Sequence, residues 1–275
     1  YLLLKYVGGF NNQELAHIFK SWNEGELHSY LIGITAGIFR EADDLGDGEL
    51  IDRIKDSAKQ KGTGRWASLE ALKQGVDISM ITSACTARIM SNHLDEREKA
   101  WQLIHSPAVG LSPDKESFAA MVREALYTGK IIAYAQGFSL MQDASRLYGW
   151  NLDLGKIASI FRAGCIIQAV FLNDITHAFE AEPKPENLIF DGFFLSRINE
   201  HQDSLRQAVS TGVMNGLPIP ALCNAVSYLD EFRAKAAGAN LIQAQRDCFG
   251  AHTYERTDRE GVFHHEWRWA NDNQH

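Results

Sequence analysis

Apolar residues recur along this chain at three- and four-residue spacings nearly from end to end. Leu15, Ile18, Phe19 and Trp22 fall on one helical face. The preceding Asn11-Asn12-Gln13-Glu14 has the form of a capping box, with Asn11 as N-cap and Glu14 three residues later. Ser112-Pro113 opens a second helix, proline supplying the preset φ of its first position. That segment, about 118–147, is apolar over a wide arc through Leu126, Ile131, Ile132, Tyr134 and Phe138. A third helix is predicted over about 153–181. It carries Ile157, Ile160, Phe161, Ile166, Ile167, Val170 and Phe171 on most sides and is expected to be deeply buried. Period-two alternation hardly occurs, so the pattern predicts an all-α fold.

Two stretches resemble each other. Leu15-Ala16-His17-Ile18-Phe19-Lys20 matches Ile157-Ala158-Ser159-Ile160-Phe161-Arg162 at an offset of 142. Tyr30-Leu31 with Ile34-Thr35 matches Phe171-Leu172 with Ile175-Thr176 at an offset of 141. The nearly constant offset predicts a duplicated multi-helix domain over residues 1–252. In the second copy the helix from Ala125 to Gln136 precedes the matched stretch. Its counterpart would fall before Tyr1, so the chain is expected to begin inside a helix. From Thr253 to His275 the helical period is lost, and Tyr254, Trp267 and Trp269 give the segment apolar surface. A non-helical C-terminal tail that docks on a partner subunit is expected there.

Composition narrows the class. No apolar run approaches the roughly 18 residues that span a bilayer, and the opening Tyr1-Leu2-Leu3-Leu4-Lys5-Tyr6 has the wrong flanks for a signal peptide. A cytoplasmic protein without a membrane partner is expected. Cys85, Cys165, Cys223 and Cys248 lie far apart, without the pairing of a disulfide framework or zinc site, which predicts reduced thiols. The net charge of −8 argues against nucleic acid. It leaves room for an anionic small molecule at converging cations.

Several motifs fail on inspection. Gly62-Thr63-Gly64-Arg65-Trp66-Ala67 fits a dinucleotide fingerprint in form, yet the polar Lys55–Lys61 segment stands where a buried strand is required. Asp43–Gly48 faintly resembles a calcium loop, but Leu45 and Ile54 occupy ligand positions. His264-His265-Glu266 reads as a solvated tail rather than a metal site, and no metal is expected. Lys61-Gly62-Thr63-Gly64-Arg65 survives: an ammonium, a hydroxyl and backbone amides in a turn suit phosphate. A solvated basic loop is an equal alternative. Arg88, in the small apolar run Ala84–Met90, needs either a ligand or a carboxylate such as Asp95 or Glu96. Arg246 sits in the last turn of a helix expected to stop at Gly250, with His252 just beyond.

Lys61-Gly62-Thr63-Gly64, Arg88, Ala125-Leu126-Tyr127, Tyr134-Ala135-Gln136-Gly137-Phe138, Ala163-Gly164-Cys165-Ile166-Ile167 and the terminal Gln243–Asp247 with Phe249–Tyr254 occur in one order. Together they closely resemble the 6-phosphogluconate dehydrogenase family, from Tyr1 to about Trp267. The resemblance implies NADP-dependent oxidative decarboxylation of 6-phosphogluconate to ribulose 5-phosphate, without metal, in a homodimer. It implies that Lys61, Thr63 and Arg88 bind substrate phosphate. Arg246 is implied as a further phosphate ligand, and His252 as a sugar-hydroxyl or carboxylate contact, both in the neighbouring subunit's site. The family's NADP-binding domain and its catalytic lysine and glutamate precede the segment matched here. No catalytic residue is therefore assigned to this chain, which alone is expected to be inactive. A non-catalytic dimeric sugar-phosphate-binding module is the alternative. Three positions depart from the family: Arg65 for the usual Lys, Gln168 for an Arg and Cys248 for a Tyr. Gln168 removes a charge from the central helix, and the end, Trp269–His275, is expected to lack the serine-rich extension that some members of the family use to touch coenzyme.

Overall fold

The computed structural model describes residues 1–112 and 114–267. Pro113, expected to open the long helix, lies outside them, as do Trp269 and the rest of 268–275. Contacts divide the chain into two compact units, Tyr1–Ser227 and Tyr228–His275.

The first unit is built of helices. After a short helical turn at Leu3–Val7 come α1 (Asn12–Trp22) and α2 (Tyr30–Ile38). Both arms of the predicted capping box form: the Asn11 carboxamide oxygen accepts from the Glu14 amide at 2.9 Å, and the Glu14 carboxylate accepts from the Asn11 amide at 2.8 Å. The face so started buries Leu15, Phe19 and Trp22. Then follow α3 (Thr63–Gln74), α4 (Ser79–Ser91) and α5 (Leu94–Leu103). The long α6 (Lys115–Tyr148) starts at Asp114, whose carboxylate accepts from the Glu116 and Ser117 amides, and ends at the left-handed Gly149. After it run α7 (Leu154–Ile160), α8 (Leu172–Glu180) and α9 (Gly192–Met214), and the boundary between the units falls within α10 (Pro220–Arg233). α6 and α9 pack along each other. Ile131 and Ile132 of α6, Ile175 of α8, Phe194 and Leu205 of α9, and Phe171 are fully buried. Each such side chain contributes about 1.5–3 kcal/mol through burial.

The duplication is visible in space. α1 packs on α2 and α7 on α8. The N-caps Asn11 and Asp153 correspond at the offset of the sequence match, and the helix starts Tyr30 and Leu172 agree with it to within one residue. The copies meet at an antiparallel bridge between Ser29 and Ala169. There the Tyr30 amide donates to the Gln168 carbonyl at 3.1 Å, and the Val170 amide to the His28 carbonyl at 2.9 Å.

The third predicted helix is interrupted. It stops at Ile160 and resumes at Leu172, with turns between and Gly164 at φ +65°. The Gln168 carbonyl and the Val170 amide spend their hydrogen bonds on the other copy, which a continuous helix would forbid. Ile160 and Ile166, expected to be buried, are 70% and 66% exposed.

The second unit contains α11 (Ala239–Gly250), then an antiparallel pair of two-residue strands, β1 (Tyr254–Glu255) and β2 (Val262–Phe263), with Tyr254 opposite Phe263. As far as Trp267 the tail is thus non-helical, as expected, and residues 254–263 form a hairpin. Among the described residues no helix is long and apolar enough to cross a membrane.

Candidate functional site

The start of α3 is shaped by Gly62, whose φ of +101° favours glycine because a side chain would be strained there. This turn carries the chain from the basic Lys59–Lys61 stretch into the helix. No side chain caps the first amides of α3, which leaves donors available to an anion beside the Thr63 hydroxyl. α4 packs against α3. The Ser68 and Thr82 hydroxyls meet at 3.0 Å, and the Cys85 thiol donates to the Gln60 carboxamide oxygen at 3.2 Å. A Cβ added at Gly64 would stand 3.6 Å from Cys85 Sγ, so this helix start lies in van der Waals range of α4.

α4 is in turn fixed by a fully buried glutamine. Gln136 of α6 accepts from the Met80 amide at 3.1 Å and donates to Ser79 Oγ at 3.1 Å. Arg88 follows in the last turn of α4. The result is one cavity of about 710 Å³ lined by Lys61, Thr63 and Arg88, with Lys59, Gln60 and Cys85 beside them and Met80 and Ile81 on the apolar side. Three of the five sequence-predicted site residues are therefore together. The carboxylate alternative for Arg88 is not what is seen: Glu96 lies 3.4 Å from His93, and the Arg88 guanidinium pairs with neither Glu96 nor Asp95. All three side chains are exposed.

Arg246 and His252 lie in the second unit. Arg246 donates to the Gln243 carboxamide oxygen at 3.0 Å, and the Gln243 amide donates to the Thr253 carbonyl at 2.5 Å. His252 stands between two non-glycine residues in the left-handed region, Ala251 at φ +49° and Thr253 at φ +62°. The expected stop at Gly250 is displaced by one residue: Gly250 is helical and Ala251 is the C-cap. Glycine at 250 serves another purpose, since a Cβ there would fall 2.8 Å from His252 Nε2.

Three buried polar residues escaped sequence reasoning. Gln136 lay inside a quoted motif without a role. Asp247 is fully buried near the end of α11 and accepts from Thr253 N at 3.0 Å, His264 Nδ1 at 2.8 Å, His265 N at 3.0 Å and Trp267 Nε1 at 2.9 Å. Burial alone would push its carboxyl upward. The donors from His264, Trp267 and the two amides outweigh that and hold it well below the usual carboxylate range. An acid near a helix C-terminus opposes the macrodipole, and that was the available signal. The same contacts tie the His264 ring and the His265 backbone to α11, while His264, His265 and Glu266 stay exposed, in keeping with the reading of a solvated segment. The third is Lys130 of α6, whose Nζ is buried without a hydrogen-bond partner among the described residues, 5.2 Å from the centre of the Phe171 ring. Burial pulls its pKa down to about 8.

The segment before Gly62 is irregular rather than a strand, so the glycines do not form a dinucleotide-binding turn. Among the described residues no three His, Cys, Asp or Glu side chains are grouped to hold a metal.

The family profile described as 6-phosphogluconate dehydrogenase, C-terminal domain, matches residues 1–267. A decarboxylating 6-phosphogluconate dehydrogenase of Lactococcus lactis subsp. lactis is 49% identical over 267 residues, which are 97% of this chain and 57% of that protein. The Bacillus subtilis relative, named as NADP(+)-dependent and decarboxylating, is 48% identical over 268 residues, with the same coverage. Among solved structures, Plasmodium falciparum 6-phosphogluconate dehydrogenase, known in its apo form and with NADP+ or 6-phosphogluconate, superposes with a TM-score of 0.94 at 41% identity. That match covers 97% of this chain and 58% of the other. The chain thus spans little more than half the length of these relatives, and it belongs to the 6-phosphogluconate dehydrogenase family, as a match to its C-terminal domain.

Proposed function

We propose that this chain supplies the substrate-binding, dimer-forming half of an NADP-dependent 6-phosphogluconate dehydrogenase, which converts 6-phosphogluconate to ribulose 5-phosphate by oxidative decarboxylation. The observation that carries the reading is the convergence of Lys61, Thr63 and Arg88 on one cavity at the uncapped start of α3. A phosphate dianion asks for charge and direction at once. Lys61 and Arg88 supply the charge, while the Thr63 hydroxyl and the free α3 amides supply direction. Phosphate does not react in this chemistry. Holding it fixes the far end of the sugar acid, so that binding energy is used to orient the reacting carbon.

In the same reading Arg246 and His252 reach the neighbouring subunit's site in a homodimer. Arg246 adds a third cation to the phosphate, and His252 contacts a sugar hydroxyl or the carboxylate. NADP is held by a coenzyme domain outside this chain, no metal is assigned, and the setting is the cytoplasm. The names of the Lactococcus, Bacillus and Plasmodium relatives support this reading.

The test joins this chain to the coenzyme-binding half of the Lactococcus lactis relative and follows NADPH formation with 6-phosphogluconate. Activity is expected from the fusion and none from the chain alone. A fusion that binds both ligands without forming NADPH would leave a sugar-phosphate-binding module. Failure to bind 6-phosphogluconate at all would overturn the reading.

A further inference from the structure

The geometry points to Asp247 and Gln243 as positioning residues that hold Arg246 and His252 in register for an anionic sugar phosphate, an inference that rests on the reading above. The starting observation is a carboxylate in an unfavourable place. Asp247 lies in the last turn of α11, where the free carbonyls and the helix dipole repel negative charge. It is nevertheless fully buried and satisfied by four donors, every one from the chain beyond the helix. Asp247 is the point to which the departing chain returns twice, first at Thr253 and again at His264–Trp267.

Between these anchors the backbone is strained. Ala251 and Thr253 both carry positive φ without being glycine. Such a conformation is unfavourable for a residue with a Cβ, and it persists only where its surroundings over-determine it. Thr253 is held on both sides of its peptide unit: its amide donates to Asp247, and its carbonyl accepts from Gln243. The other end of the Gln243 carboxamide accepts from Arg246. One side chain therefore ties the cation to the turn that carries His252. The imidazole itself is seated by Gly250, which leaves it room, and by the Phe249 ring, edge-on at 5.8 Å. Without Asp247 and Gln243, Ala251 and Thr253 can relax to negative φ, which re-aims His252 and frees Arg246.

A purely structural anchor and a positioning residue differ in what they move. In the active fusion, Asp247→Asn presents an amide N–H₂ to donors that need an acceptor. It is expected to raise KM for 6-phosphogluconate about tenfold or more, while KM for NADP stays unchanged and kcat falls by less than about threefold. Gln243→Met leaves the buried carboxylate intact and is expected to raise the same KM about three- to fivefold. The decisive comparison repeats both changes in an Arg246→Met/His252→Gln background. Residues acting through Arg246 and His252 have nothing left to position there, so each change should add less than about twofold. Full multiplicative effects in that background, or an unchanged KM in the parent, would overturn the inference. Should Asp247→Asn fail to fold, Gln243→Met decides alone by the same criterion. If Arg246→Met/His252→Gln leaves KM unchanged, the underlying assignment of those two residues fails first, and the positioning role with it.

Discussion

Replacing Lys130 by methionine should stabilise this protein at neutral pH, and the gain should disappear in alkali. The Lys130 ammonium is buried with no hydrogen-bond partner among the described residues, and the face of the Phe171 ring offsets part of the lost hydration. Its pKa is about 8, against an ordinary lysine value of 10.5. The folded protein therefore holds this proton less tightly than the unfolded chain does. Between about pH 8 and 10.5 the unfolded state binds more protons, so stability rises with pH across that window. Below it the full penalty is present. At about 1.4 kcal/mol per pH unit, the interval corresponds to about 3 kcal/mol as an upper bound. Methionine has a similar length, fills the same space and carries no charge. The assay is urea unfolding of the chain and its Lys130→Met variant from pH 7 to 10.5, read by circular dichroism. The variant should unfold at higher urea at pH 7, and the two curves should converge towards pH 10.5. A variant less stable at pH 7, or a pH-independent difference, would refute the argument and mean that the ammonium has a favourable partner.

Other outcomes follow from the site. Arg88→Met should weaken kcat/KM for 6-phosphogluconate in the fusion by about 2–4 kcal/mol. It should shift unfolding by no more than about 0.5 kcal/mol, because no carboxylate is orphaned. Unfolding without loss of affinity would make Arg88 structural. Gly250→Ala should raise KM for 6-phosphogluconate by displacing His252, whose ring would lie 2.8 Å from the new methyl, while the circular dichroism spectrum stays helical; an unchanged KM would show the imidazole free to move aside. Mixing an Arg246→Ala fusion, assayed at 6-phosphogluconate well below its raised KM so that it turns over little, with one lacking the catalytic lysine of the coenzyme half should restore about a quarter of wild-type activity under those conditions when half the dimers are mixed. Verified subunit exchange without recovery would place Arg246 in its own chain's site.

Much of this architecture was legible because helices announce themselves locally. The Asn11 capping box, the apolar arc of α6 and the repeat offset all rest on residues within a few positions of each other or on direct sequence comparison. The break after Ile160 was not legible. Helical periodicity continues through 161–171, and the competing interaction is a backbone bridge to Ser29, which leaves no side-chain signature. Gln168 illustrates the point, since its part in that bridge is its carbonyl and would be available whatever the side chain. At the site, Lys61, Thr63 and Arg88 could be chosen by type and motif, and their shared cavity follows from α3 packing on α4. Asp247 and Gln136 could not be weighed in that way. Their value lies in donors and acceptors from distant segments, and a one-dimensional reading sees only a polar residue in a helix.

The bridge between the two copies also bears on how the chain acquires its structure. Ser29 must wait for Ala169, so one half of the pairing leaves the ribosome about 140 residues before the other, or about 7–28 s at ordinary elongation rates. During that interval α1 and α2 can pack on each other, but the inter-copy hydrogen bonds and the buried Phe171, Leu172 and Ile175 do not yet exist. The closing loop is entropically costly and slow to form. The first copy thus spends its early life as an exposed amphipathic pair, a state in which chaperone binding competes with aggregation.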